Sequence, residues 1–202
     1  AEAGLAWSLQ RSVAEFFANG TKLVTAAGDG TVRVWDVASG GEERAISGTG
    51  LQTVLAISPK GEWMVSGGRN GVTQLFNLQT GELLKRLGEE DPDSSDITAA
   101  AIDPTGRWFA TGNERGDIVV WSVDANDPTR HAILTGHNGR ITGLAFSNDS
   151  TRLYSSSGDR TATQWDLLAK QEVTGGVMSH PEWIESLDLS SDGQFLVTAC
   201  DD

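Results

Sequence analysis

An all-β fold of repeated four-stranded antiparallel sheets is predicted by three features of this 202-residue sequence. First, four segments close alike: TAAGDGTVRVWD, SGGRNGVTQLFN, TGNERGDIVVWS and SSSGDRTATQWD. Their aromatic residues, Trp35, Phe76, Trp121 and Trp165, are spaced 41, 45 and 44 residues apart. Second, short runs of alternating character recur between turn formers. Third, 24 glycines punctuate a chain that is 38% hydrophobic, which suits many short strands rather than long helices. A period near 40–45 residues fits one propeller blade per repeat.

Each repeat opens with an alternating strand: Val13–Phe17, Thr53–Ile57, Ile97–Ile102, Ile141–Phe146 and Ile184–Leu189. In the fourth, Leu144 and Phe146 share one face and Ala145 takes the other. A turn follows each time, as in Ser58-Pro59-Lys60-Gly61, Asp103-Pro104-Thr105-Gly106 and Ser190-Ser191-Asp192-Gly193. Pro presets the second turn position, Asp or Ser bonds nearby backbone, and Gly accepts positive φ. The second strand is LVTA, WMVSG, WFATG, LYSS or FLVTA, and the third carries the aromatic residue. A more charged fourth strand is expected at Glu43–Ile46, Leu83–Leu87, Ala132–Leu134 and Glu172–Thr174. Polar side chains there discourage edge-to-edge pairing. Small residues such as Ala99, Ala100, Ala101 and Gly143 suit inner strands crowded around a channel. Trp63 and Trp108 open second strands and are read as packing between sheets rather than as ligand platforms.

Composition narrows the function. A net charge of −13 repels phosphate backbones, so nucleic acid is not an expected partner. No run of eighteen apolar residues exists to insert into a membrane. The single cysteine, Cys200, cannot form an intrachain disulfide, and it does not set a compartment, the cytoplasm being slightly favoured.

The motifs resemble the WD-repeat family of β-propellers over nearly the whole chain. Trp35-Asp36 and Trp165-Asp166 match its name-giving dipeptide, and Gly136-His137 matches its other signature pair. The resemblance implies a buried network of His, Ser or Thr, Asp and Trp within a repeat. Its spacing appears as Thr25, Asp29 and Trp35, and as Ser155, Asp159 and Trp165. His137 precedes Ser155 by 18 residues, His180 precedes Thr198 by 18, and Asp202 follows Thr198 by four. The second repeat offers Ser66, Asn70 and Phe76 without His, and the third has Thr111, Arg115 and Trp121. Only the fourth can close the full network.

The resemblance divides one propeller domain into residues 1–12 as an outer strand of a neighbouring or closing blade, blades at 13–47, 53–87, 97–134 and 140–174, and a truncated fifth at 184–202. The next Trp would fall at about position 208, and a seven-bladed ring needs about 300 residues. A fragment of a longer polypeptide is therefore expected.

Several residue sets carry reactive groups, and architecture accounts for them better than chemistry. Ser155, His137 and Asp159 contain the ingredients of a hydrolase triad, but the same spacing recurs without His and no Gly-x-Ser-x-Gly elbow is present. Asp91, Asp93 and Ser95 alternate as in calcium loops, yet Asp96 and Ile102 stand where Gly and Glu belong. The three histidines form no zinc-ligand cluster. No catalytic, metal or cofactor site is expected. The resemblance places partner contacts on the loops preceding each first strand and between second and third strands: Leu51, Asp96, Arg140 and Trp183, with Arg69, Glu114 and Asp201. Arg and Trp are common binding hot spots. The expected function is a non-catalytic scaffold for protein partners within a larger assembly. A sensory or accessory domain attached to a kinase or NTPase is the alternative, with a propeller hydrolase third.

Overall fold

The computed structural model describes residues 13–17, 21–27, 30–47, 52–88, 95–124 and 127–201. The segment 1–12, Asp29, Leu51, the acidic residues 89–94 and Asp202 lie outside them. The described chain is β-structure with no α-helix and one 3-10 turn at Arg69–Gly71. No helix among the described residues is long and apolar enough to cross a membrane.

Four sheets follow one another. The first holds β1 (Val13–Phe17), β2 (Lys22–Ala27), β3 (Thr31–Asp36) and β4 (Glu42–Ile46). The second holds β5 (Gln52–Ile57), β6 (Trp63–Gly68), β7 (Thr73–Asn77) and β8 (Leu83–Leu87). The third holds β9 (Ile97–Ile102), β10 (Trp108–Asn113), β11 (Ile118–Asp124) and β12 (Asp127–Leu134). The fourth holds β13 (Ile141–Phe146), β14 (Arg152–Ser157), β15 (Thr161–Asp166) and β16 (Gln171–Ser179). A two-stranded sheet of β17 (Ile184–Leu189) and β18 (Leu196–Cys200) comes last. Within each sheet the strands pair antiparallel in chain order. The opening strands β1, β5, β9, β13 and β17 lie side by side, so the sheets fan outward from them as an open arc of blades.

The arc is held by apolar layers between sheets. Val24, Val32, Leu55, Met64 and Phe76 join the first to the second. Trp63, Val65, Leu75 and Phe109 join the second to the third, with Trp63 edge-on to Phe109 at 6.1 Å. Ile118, Leu134, Ile141, Leu153 and Trp165 join the third to the fourth. Each such fully buried side chain contributes about 1.5–3 kcal/mol. The layers are tight where a second strand meets the next opening strand. A Cβ on Gly67 would stand 2.4 Å from Ile97 Cγ2, and one on Gly112 would stand 2.5 Å from Ile141 Cγ2.

Polar staples reinforce the outer rim. Arg44 donates to the Thr80 carbonyl at 2.8 Å, Lys85 to that of Pro128 at 3.4 Å, and the His131 Nε2–H to that of Leu167 at 3.1 Å. Each side chain reaches from a fourth strand to the following sheet. Below, the Asp103 carboxylate is fully buried and accepts from Thr105, the Trp108 N–H and, across the junction, the Ser150 hydroxyl at 2.6 Å.

The fourth strands differ from the sequence expectation in extent. β12 and β16 run well past Ala132–Leu134 and Glu172–Thr174. Their outer residues are mostly exposed, so the ladder continues through backbone hydrogen bonds that need no apolar side chain. Thr163 pairs with Val177 and Trp165 with Glu172, leaving Val173–Gly176 as a bulge opposite Gln164. A bulge beside the aromatic residue occurs in all four sheets.

Candidate functional site

The fourth sheet builds a closed polar network. His137 lies in the loop before β13, Ser155 on β14, Asp159 in the β14–β15 turn and Trp165 on β15. Trp165 donates its indole N–H to Ser155 Oγ at 2.7 Å, because an indole can only donate. The Ser155 hydroxyl in turn donates to His137 Nε2 at 2.7 Å. His137 Nδ1–H then donates to Asp159 Oδ2 at 2.9 Å. Asp159 also accepts from the Asn138 N–H, the Thr161 N–H and the Thr161 hydroxyl, at 2.8, 2.9 and 2.6 Å. Burial pushes the Asp159 carboxyl upward, but the bonds from Thr161, Asn138 and His137 outweigh it and hold the group below the ordinary carboxylate value. The depressed folded value means this stabilisation is present above the ordinary carboxylate range and is lost as pH falls through the folded value.

These distances would suit a catalytic triad. Access does not: Ser155 is 0% exposed and its oxygen accepts the Trp165 indole N–H. A nucleophile must meet its substrate beside oxyanion donors, and Ser155 is occupied as a relay between two buried rings.

The other repeats keep pieces of the network. Trp35 donates to Thr25 Oγ1 at 2.9 Å, while Asp29 lies outside the described residues. His180 Nε2 and Thr198 Oγ1 are 2.9 Å apart, and Asp202 lies outside likewise. In the second sheet Phe76 replaces the indole, and the buried Ser66 hydroxyl has no partner among the described residues. In the third, the Trp121 N–H is unpaired among them and its ring stacks on Phe109 at 5.9 Å and 16°. Thr161 was missed by sequence reasoning. Thr31 holds the same offset, two residues beyond Asp29, and that recurrence was the available signal.

Six residues expected to meet a partner gather at the end where the opening strands begin. Glu114 N–H bonds Asp96 O at 3.1 Å, Gly158 N–H bonds Arg140 O at 2.9 Å, and Asp201 N–H bonds Trp183 O at 3.2 Å. These equivalent bonds fasten the loop after each second strand to the residue before each first strand. Arg69 is exposed in the corresponding turn of the second sheet. Arg140 and Trp183 border one cavity of about 420 Å³, with Thr98, Thr142 and Glu185, which sequence reasoning did not single out. Trp183 is 57% exposed. Gly139 and Gly158 form bare backbone in its wall, and a Cβ on Gly139 would meet Asp159 N at 2.9 Å. A second cavity, of about 330 Å³, lies at the opposite end of the opening strands and includes Ala100 and Ala101. Ala99 packs between sheets instead, and Gly143 lies against Leu187.

Radial antiparallel blades, one of which holds a buried His–Ser–Asp–Trp relay, define a β-propeller of the WD type. The family model of the WD domain, G-beta repeat, matches residues 7–36, 81–122, 128–166 and 172–202, and the chain belongs to that family. The match passes over residues 37–80, which nonetheless contain most of the second sheet after β4. The chain is 24% identical over 194 residues to pre-mRNA-processing factor 19 homolog 2 of Arabidopsis thaliana, covering 93% of this chain and 35% of that protein. It is 26% identical over 189 residues to a subunit of chromatin assembly factor 1 from Gallus gallus, covering 89% and 29%. It is 28% identical over 196 residues to the beta subunit of a guanine nucleotide-binding protein from Arabidopsis thaliana, covering 87% and 50%. The chain thus spans between 29% and 50% of the length of these relatives.

Proposed function

We propose that this chain is a non-catalytic interaction scaffold, a propeller segment serving a larger protein or assembly, with protein partners docking at the loop end that carries Arg69, Asp96, Glu114, Arg140, Trp183 and Asp201. The observation that carries the reading is the division of labour among polar residues. The reactive-looking set of Ser155, His137 and Asp159 is consumed inside the fold, whereas Arg140 and the exposed Trp183 border an open cavity. The names of the relatives support it, since they include subunits of a chromatin assembly factor and of a guanine nucleotide-binding protein. An Arg without an ion-pair partner among the described residues, beside an exposed Trp, has the composition of a binding hot spot.

The test is site-specific photocrosslinking in cells, with the crosslinker placed at Trp183 and, as control, at Leu168, which is 91% exposed away from this end. Crosslinks to defined proteins from position 183, lost in the Arg140→Glu background and absent from position 168, are expected. Equal yields from both positions would refute the assignment of this face.

A further inference from the structure

We infer that the cavity between β9, β13 and β17 receives a carboxylate side chain, Asp or Glu, from an extended segment of the partner protein, with Arg140 as its receptor. The inference rests on the partner face proposed above and adds the chemistry of the contact. It follows from which polar groups around the cavity are already spent. Thr98 Oγ1 donates back to the Ile141 carbonyl at 2.6 Å, and Thr142 Oγ1 lies 2.9 Å from Ser156 Oγ. Thr98 has thus spent its one hydroxyl hydrogen, and Thr142 is tied to Ser156 by a bond in which either oxygen can donate, so neither rivals a cationic fork as a receptor. Arg140 is different. Its Nε is shielded from solvent and has no hydrogen-bond partner, and among the described residues its guanidinium forms no ion pair. The cation at the cavity wall is thus unpaired among the described residues, and a carboxylate answers it best, because its two oxygens match the planar fork of a guanidinium.

The remaining wall sets the shape of the guest. A volume of about 420 Å³ accepts a few side chains of a linear segment rather than a folded domain. The exposed Trp183 offers a flat apolar surface for the methylene stem. Glu185 also borders the cavity, so a second acid beside the first is disfavoured and a basic neighbour is favoured. The guest is thus a single acid set among basic or small residues.

The experiment is an NMR titration of the full chain with two blocked hexapeptides, Ala-Lys-Glu-Ala-Lys-Ala and its Gln counterpart, and with inorganic phosphate. The reporter is the Arg140 Nε–H resonance, assigned by its disappearance in Arg140→Lys. Saturating movement of that signal by the Glu peptide, with about tenfold higher affinity than for the Gln peptide, is expected. Arg140→Gln should bring the Glu peptide down to the Gln level. Because the Arg140 side chain bonds nothing among the described residues, this variant should keep the wild-type amide spectrum. If it does not, the discrimination by the wild-type chain still decides. Equal affinities for the two peptides, or movement by phosphate as large as by the Glu peptide, would overturn carboxylate recognition. The failures are separable. Crosslinks at position 183 with undiscriminated peptides would sink the carboxylate and leave the face. Peptide discrimination without crosslinks would sink the face as a protein-docking surface and leave the carboxylate receptor.

Discussion

Replacing His137 by Ala should cost far more stability than replacing His131 by Ala, and the structure supplies the size of the gap. His137 makes two buried bonds, to Ser155 Oγ at 2.7 Å and Asp159 Oδ2 at 2.9 Å. Each hydrogen bond contributes about 0.5–1.5 kcal/mol net, with charge-assisted ones at the upper end. Its ring also sits edge-on to Trp165 at 5.9 Å, a contact of about 0.5–1.5 kcal/mol. Asp159 keeps Asn138 and Thr161 as donors after the change, so it is not orphaned. The loss is therefore about 3 kcal/mol rather than about 5. His131 is no bystander: it bonds the Leu167 carbonyl and stands edge-on to Trp108 at 4.4 Å. Those contacts are half-exposed, and their loss should cost about 1 kcal/mol. Urea unfolding of the two variants should show a difference of about 2 kcal/mol. A double-mutant cycle with Ser155→Ala should add a coupling of about 1 kcal/mol, since both changes cut the same relay. Equal unfolding midpoints, or strictly additive effects, would refute the relay as a cooperative unit.

Two further outcomes test the degenerate sheets and the junctions. Trp121→Phe removes an indole N–H that has no partner among the described residues, so it should alter stability by less than about 0.5 kcal/mol, whereas Trp165→Phe strips the donor from buried Ser155 and should cost about 2 kcal/mol by thermal unfolding. Gly112→Ala drives a methyl into Ile141 Cγ2 and should cost about 1–3 kcal/mol by urea unfolding, and Ile141→Ala, which removes Cγ1 and Cγ2, should cost less in that background than in the wild-type chain if crowding is the cause.

The blade pattern was legible because it rests on residue types whose physics is local. Alternating strands, Pro-Gly turns and a spaced aromatic residue each advertise themselves in the chain. The second sheet shows how little of the full motif is needed. It lacks His and Trp at the network positions and largely escapes the family model, yet Phe76 is buried in one layer with Val24 and Val32 of the first sheet, because an inter-sheet layer requires apolar volume rather than an indole donor. The relay in the fourth sheet was readable from the 18-residue offset between His137 and Ser155. The staples were not, since Arg44, Lys85 and His131 bond backbone carbonyls of the next sheet, and any residue can supply a carbonyl. Nor was the solitude of Arg140, which depends on which neighbouring hydroxyls turn inward.

Among the described residues, each apolar layer lies in the gap between two blades. The heritable module is consequently a junction and not a blade. A graft that moved one sheet into a relative would arrive with two half-filled seams, each facing side chains selected for another companion. Exchanges whose cut points fall in the solvent turns, and which carry both faces of a seam together, would be the ones that fold.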